Sequence, residues 1–266
     1  MLININGMGI NYRDLGSGIP VVFVHAFPLN HTMWDPQLSA LQKLFRVITI
    51  DLRGFGGSHA PAGPYSMTQM ADDVRALLYH LEINRATLVG LSMGGYVSLA
   101  FLKKYPQVVR AIVLADTRAT ADTPEARERR LISADKAERE GSRAIADDMV
   151  PMLLGRTSLD SRPEIVRRVR EMIEGNSVQG IAAAQRGMSE RIDSTELLSQ
   201  LDLPCQVIVG AEDVLTPVSE AETMQRGIKG ARFNVIDRAG HLSNLEQPEE
   251  FNKLLSDFIG SLDESK

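Results

Sequence analysis

Residues 86–91, Ala-Thr-Leu-Val-Gly-Leu, form an apolar run that leads into Gly90-Leu91-Ser92-Met93-Gly94-Gly95, after which the pattern turns helical. A G-x-S-x-G spacing at a strand-to-helix junction has a mechanical meaning. The serine sits on a sharp, strained turn. Glycines two before and two after it remove the Cβ atoms that would collide there. The turn lifts the hydroxyl out at the C-terminal edge of a sheet. The helix beyond it offers free N–H groups and a positive dipole end to a developing oxyanion. Ser92 is therefore the candidate nucleophile for attack on a carbonyl carbon through a covalent intermediate.

A serine needs a base, and the base needs a group that orients it. On a strand-turn-helix scaffold of this kind the chain order is serine, acid, histidine. Of the five histidines only His241 lies late, in Asp237-Arg238-Ala239-Gly240-His241, just after the last strand-like run. That returns it to the sheet edge where Ser92 emerges. The acid candidate is Asp213, just past the apolar run 206–210. Glu212 is adjacent but would point elsewhere from the same turn. Asp116 ends the preceding strand and is a topological rival. Asp237 is too near His241 in the chain to be its partner. A second oxyanion donor should come from the loop His25-Ala26-Phe27-Pro28-Leu29. Pro28 has no N–H, so the donor is Ala26 or Phe27, with Met93 supplying the first. His25 reads as a residue that bonds backbone in this turn. His31, His59 and His80 read as ordinary surface or helix residues.

These side chains need a scaffold. Strand-like runs occupy 2–5, 10–14, 21–24, 46–50, 86–91, 111–115, 206–210 and 232–236, eight in all. The first two flank Asn6-Gly7, a hairpin signal. Solid apolar runs such as 21–24 suit strands covered on both faces. Met70, Val74, Leu77, Leu78 and Leu81 mark one face of a helix over 67–81, with Ser66 and Gln69 as a capping box. Helices follow over 93–104 and over 248–262, where Pro248 suits a first turn. Alternating strands and helices predict a mostly parallel sheet with helices on both faces. Between 115 and 206 there is no strand. The patterns predict helices over 124–140, 142–153, 163–174 and 178–189, inserted over one end of the sheet. The charge-dense stretch 125–140 reads as a solvated helix face.

Composition narrows the classes. The chain has 266 residues, 44% hydrophobic and 24% charged, and 29 basic against 34 acidic residues give −5. That is ordinary globular usage with length enough for a large core. No basic stripe offers itself to a nucleic-acid backbone. No apolar run approaches the roughly 18 residues that span a bilayer, and residues 1–7 lack the pattern of a signal peptide. The expectation is a cytoplasmic protein without nucleic-acid or membrane partners. The single cysteine, Cys205, begins an apolar run and reads as a core residue. Gly54-Phe55-Gly56-Gly57 is followed by prolines instead of a helix, so it fails as a dinucleotide fingerprint. No phosphate-binding loop and no metal-ligand spacing occurs, so neither cofactor nor metal is expected.

Together these motifs resemble the α/β-hydrolase-fold serine hydrolases over nearly the whole chain. The resemblance implies an eight-stranded α/β sheet core over 1–115 and 205–266 and a helical cap over 116–204. It implies Ser92, Asp213 and His241 as nucleophile, acid and base, and Phe27 and Met93 as the oxyanion amides. Residues 51–58, Asp-Leu-Arg-Gly-Phe-Gly-Gly-Ser, match the family's structural turn after its fourth strand. Residues 32–38 and 63–66 look like the 3-oxoadipate enol-lactonase branch. Phe27-Pro28-Leu29 with 90–95 is similar to bacterial arylesterases and cofactor-free haloperoxidases. One departure is Ala26, where the family usually has glycine; a backbone at positive φ would strain an alanine there. The implied activity is hydrolysis of a small carboxylic ester or lactone, with perhydrolysis by the same triad, or a slow-hydrolysing small-molecule receptor, as alternatives. A pocket lined by Trp34, Met149, Met152 and Leu153 is expected beneath the cap.

Overall fold

The computed structural model describes residues 1–5 and 7–262. Eight strands form one sheet: β1 (Leu2–Ile5), β2 (Met8–Leu15), β3 (Pro20–Val24), β4 (Arg46–Ile50), β5 (Ala86–Leu91), β6 (Val109–Ala115), β7 (Cys205–Gly210) and β8 (Arg232–Ile236). Their order is β1-β2-β4-β3-β5-β6-β7-β8. The pairs β1/β2 and β2/β4 are antiparallel; every later pair is parallel. Each parallel neighbour needs a crossover, and right-handed crossovers set helices on both faces. Hence the central strands carry solid apolar runs: Val21–Val24 and all of β5 and β7 are buried. The sequence-predicted strands agree with the observed ones to within two residues at each end. The β1–β2 turn brings Ile5 opposite Met8, with Gly7 at φ +82°. Asn6, the first half of that turn signal, lies outside the described residues.

The helices are α1 (Asp35–Leu41), α2 (Met67–His80), α3 (Met93–Lys104), α4 (Pro124–Leu153), α5 (Arg156–Ser161), α6 (Pro163–Glu174), α7 (Val178–Ser189), α8 (Thr195–Leu198), α9 (Val218–Gly227), α10 (Ser243–Glu246) and α11 (Pro248–Gly260). Ser66 caps α2 by accepting the Gln69 N–H at 3.1 Å. Five helices, α4–α8, fill the segment between β6 and β7. Within α4 the helical path is interrupted at Gly141, whose φ of 86° and ψ of 175° are not helical, so two helical stretches meet there as the patterns over 124–140 and 142–153 predict. Short α5 and α8 escaped the periodicity because six and four residues hold too little pattern. Helices α1 and α9 are flanked by 3₁₀ or loop residues and gave no clear apolar stripe. Cys205 is buried, and burial pushes its thiol up to about 12. Among the described residues, no helix is long and apolar enough to cross a membrane.

One hub ties the antiparallel edge to the parallel core. Asp51, just past β4, is fully buried and accepts four hydrogen bonds, from Asn11 Nδ2, Gly57 N, His31 N and His31 Nδ1. Burial alone would raise its pKa; the bonds and charge of His31, with Asn11, outweigh it and hold the carboxyl at about 2. His31 is thus not the ordinary surface residue expected. It is buried and locked to a carboxylate 20 positions away, a pairing that only the fold creates. Gly56 in the same turn stands at φ +54° with the Asp51 carboxyl where a Cβ would go, so the glycine-rich stretch is structural.

Candidate active site

Parallel strands deliver their C-terminal ends to one edge of the sheet, and ligand sites of open α/β sheets form there. Val24 of β3 lies opposite Gly90, Leu91 opposite Ala115, and Gly210 opposite Ile236. The loops after β3, β5, β6, β7 and β8 therefore converge. At their centre Ser92 has φ 55° and ψ −116°, a conformation that costs an L-residue about 1–3 kcal/mol. The surroundings impose it. Ser92 N–H donates to Ala115 O at 3.0 Å, and the Thr117 hydroxyl donates to Ser92 O at 2.8 Å. A Cβ on Gly90 would stand 2.3 Å from Gly94 O, and one on Gly94 would stand 2.0 Å from Val24 O. Both glycines of the motif are required by close backbone approach.

Ser92 Oγ lies 2.7 Å from His241 Nε2, and His241 Nδ1 lies 2.8 Å from Asp213 Oδ2. All three residues are buried. Asp213 is heavily tied: Oδ1 accepts the N–H groups of Leu215 at 2.8 Å and Thr216 at 3.0 Å, and Oδ2 also accepts the Thr216 hydroxyl at 2.7 Å. Burial works to raise this carboxyl; the charge and hydrogen bond of His241, with the Thr216 bonds, prevail and lower it. An ionised carboxylate only accepts, so Nδ1 carries the ring proton and Nε2 presents its lone pair to the serine hydroxyl. Thr216 Oγ1 is also 3.2 Å from His241 Nδ1. Sequence reasoning missed Thr216; the spacing Asp213-x-x-Thr216, typical of a side chain that caps its own turn, was the available signal.

The rivals lie elsewhere. Glu212 turns away and accepts the N–H of Thr157 at 2.8 Å and its hydroxyl at 2.5 Å. Asp116 is buried, with φ +43°, and accepts the Gly210 N–H at 2.8 Å and the Ser243 hydroxyl at 2.5 Å. Burial and the neighbouring Asp213 charge raise its pKa well above the ordinary carboxylate value.

In the β3 loop the Ala26 N–H donates to Met33 Sδ at 3.2 Å. Among the described residues, no acceptor is assigned to the Phe27 N–H. Met93 is the first residue of α3 and its N–H has no partner within the helix. Ala26 is not among the residues at positive φ, so alanine is unstrained there. His25 donates from Nδ1 to Ala26 O at 2.9 Å and accepts the Leu52 N–H on Nε2 at 3.0 Å. Burial lowers its pKa to about 4, so it stays a neutral backbone brace.

The expected pocket residues fare differently. Trp34 is fully buried in the core, its ring 5.0 Å from Phe23 and 6.1 Å from Phe251. Met152, in α4, is 41% exposed. Met149 is half-buried and Leu153 fully buried, both packed on the main core cluster. Among the described residues no three His, Cys, Asp or Glu side chains are grouped to hold a metal ion.

Residues 19–248 match the sequence profile of the alpha/beta hydrolase fold. The chain belongs to the α/β-hydrolase fold family. It is 30% identical to 3-oxoadipate enol-lactonase 2 of Acinetobacter baylyi over 247 residues, covering 92% of this chain and 91% of that protein. Its structure is similar to a thermophilic esterase from Thermogutta terrifontis, with 41% identity and a TM-score of 0.96 over 98% of this chain and 99% of that one. It is also similar to the enol-lactonase from Burkholderia xenovorans LB400, with 30% identity and a TM-score of 0.91 over 98% and 100% of the two chains. Family membership and these α/β-hydrolase relatives make this chain a hydrolase.

Proposed function

We propose that the protein hydrolyses a small carboxylic ester or lactone through an acyl-enzyme on Ser92. The observation that carries this reading is the unbroken relay from Asp213 through His241 to Ser92, with bonds of 2.8 and 2.7 Å. Ser92 Oγ attacks the carbonyl carbon as His241 Nε2 takes its proton. Asp213 keeps the imidazole in the Nδ1–H tautomer and stabilises the imidazolium. The amides of Phe27 and Met93 receive the oxyanion, and one such donor is worth about 10²–10³ in rate. His241 then protonates the departing alkoxide, which breaks the C–O bond. Water, deprotonated by the same Nε2, adds to the acyl-enzyme and releases the acid. In a lactone the alcohol stays tethered to the acyl group, but the same proton transfers serve. Helices α4–α8, inserted between β6 and β7, serve as the cap over this edge of the sheet. The relatives named as esterase and enol-lactonase support ester or lactone as the substrate class.

The test is a panel of p-nitrophenyl esters of graded chain length and small lactones, run on wild type and Ser92→Ala. Mass spectrometry of quenched reactions should show an acyl adduct on the peptide that holds Ser92. Ser92→Ala should lose at least about 10³-fold in kcat and show no adduct. Wild-type turnover by Ser92→Ala would end this reading.

A further inference from the structure

Glu246 is a fully buried carboxyl that the chemistry above leaves unused. Its two oxygens face different parts of the molecule. Oε1 accepts the N–H groups of Gly240 at 2.9 Å and Leu242 at 3.3 Å, the residues on either side of His241. Oε2 accepts the N–H of Gly155 at 2.8 Å, at the start of α5 in the inserted helical segment. The backbone carbonyl of Glu246 receives Arg162, the residue between α5 and α6. At this junction two chains touch backbone to backbone. A Cβ on Gly240 would stand 2.2 Å from Gly155 N, and a Cβ on Gly155 would stand 2.7 Å from Gly240 N. A side chain on either glycine would collide there, so the separation of the histidine loop from the inserted segment is set by main-chain contact and by the carboxylates of Glu246 and Glu212. Glu212 holds the first turn of α5 through the Thr157 N–H and hydroxyl.

We propose that Glu246 is the positioning residue for His241, and that it locks the placement of the base to the placement of the inserted helices. The chemistry of its partners gives this a direction. The three backbone partners are N–H donors, and the neighbouring Ser158 hydroxyl can donate as well, so a carboxylate satisfies every one of them. An isosteric glutamine can satisfy only one side. Its oxygen takes the side with two N–H donors, around His241, and its NH₂ group is left against the Gly155 N–H. Glu246→Gln therefore releases the inserted helices while keeping the histidine loop. Glu246→Leu releases both. A base displaced by about 1 Å costs about 10²-fold in the reaction it assists.

Because this inference rests on the reading of Ser92 and His241 as nucleophile and base, the experiment pairs a readout of reactivity with one that needs no turnover. The first is the rate at which a fluorophosphonate labels Ser92. The second is the far-downfield proton resonance of His241 Nδ1–H in its bond to Asp213. Limited proteolysis around residues 154–162 reports on the inserted segment, and circular dichroism on folding. Folded Glu246→Leu should label about 10²-fold more slowly and lose the resonance. Glu246→Gln should label close to the wild-type rate and keep the resonance, but be cut faster at 154–162. A folded Glu246→Leu with wild-type labelling and resonance overturns the proposal. If Glu246→Leu does not fold, Glu246→Gln decides: unchanged proteolysis, or a lost resonance, overturns it. A wild type that keeps the resonance but neither labels nor turns over esters would sink the proposed function and leave the positioning role standing.

Discussion

Asp213→Asn offers a sharp test of the relay because the surroundings dictate how the new side chain must sit. Two backbone N–H groups, of Leu215 and Thr216, converge on Oδ1 at 2.8 and 3.0 Å. The amide oxygen of the asparagine must occupy that place, since an NH₂ group there would face two donors. The NH₂ then stands where Oδ2 stood, 2.8 Å from His241 Nδ1. It can only donate, so Nδ1 must give up its proton and Nε2 must carry one. The Nε2–H then points at Ser92 Oγ across 2.7 Å, and the serine has no base. Wrong-tautomer loss of this kind in a serine hydrolase is worth about 10⁴ in kcat, which corresponds to about 5 kcal/mol in the barrier. The assay is steady-state hydrolysis of p-nitrophenyl acetate, with thermal unfolding as the check on integrity. KM should change little, because the substitution leaves substrate contacts alone. Asp116→Asn is the built-in control. Its amide oxygen can accept the Gly210 N–H and its NH₂ can donate to the Ser243 hydroxyl, so activity should stay near wild type. Activity within tenfold of wild type for Asp213→Asn, or a collapse for Asp116→Asn alone, would refute the assignment of the acid.

Two further predictions concern the scaffold. The folded pKa of Asp51, about 2, lies below its ordinary value, so its contribution is present above about pH 4 and is lost as the pH falls through about 2; it amounts to about 2 kcal/mol. Denaturant unfolding measured from pH 5 to 2 should show that loss in wild type and a flatter acid limb in Asp51→Asn, and parallel curves would count against the hub. Gly94→Ala places a Cβ 2.0 Å from Val24 O, so it should cost about 1–3 kcal/mol and lower kcat further by shifting the Ser92 turn; an unchanged melting temperature would contradict the close approach.

Much of this architecture could be read from residue patterns, and the exceptions share a cause. The eight strands were legible because a buried parallel strand has to be an unbroken apolar run. Ser92 was legible because the glycines at 90 and 94 answer to backbone contacts inside one local turn. His241 and Asp213 were chosen by chain order, and the structure brings His241 within hydrogen-bonding distance of both Ser92 and Asp213. The bonds of His31 to Asp51 and of Glu246 to Gly155 join residues 20 and 91 positions apart, and no local spacing records them. The packing of Trp34 against Phe23 and Phe251 is another such case. An apolar side chain states that it is to be covered, and the partner that covers it is chosen by tertiary packing.

The strand order has a consequence for the birth of the protein. Ser92 and the Phe27 loop belong to strands β5 and β3 at the centre of the sheet, whereas Asp213 and His241 follow β7 and β8 at its far edge. A chain emerging from the ribosome can pair β3, β4, β5 and β6 long before its last sixty or so residues exist. At that stage the strained serine has no base and is an ordinary alcohol. Under the proposed mechanism, reactivity is switched on only when β7 and β8 dock, so the order of synthesis itself keeps an incomplete chain chemically silent.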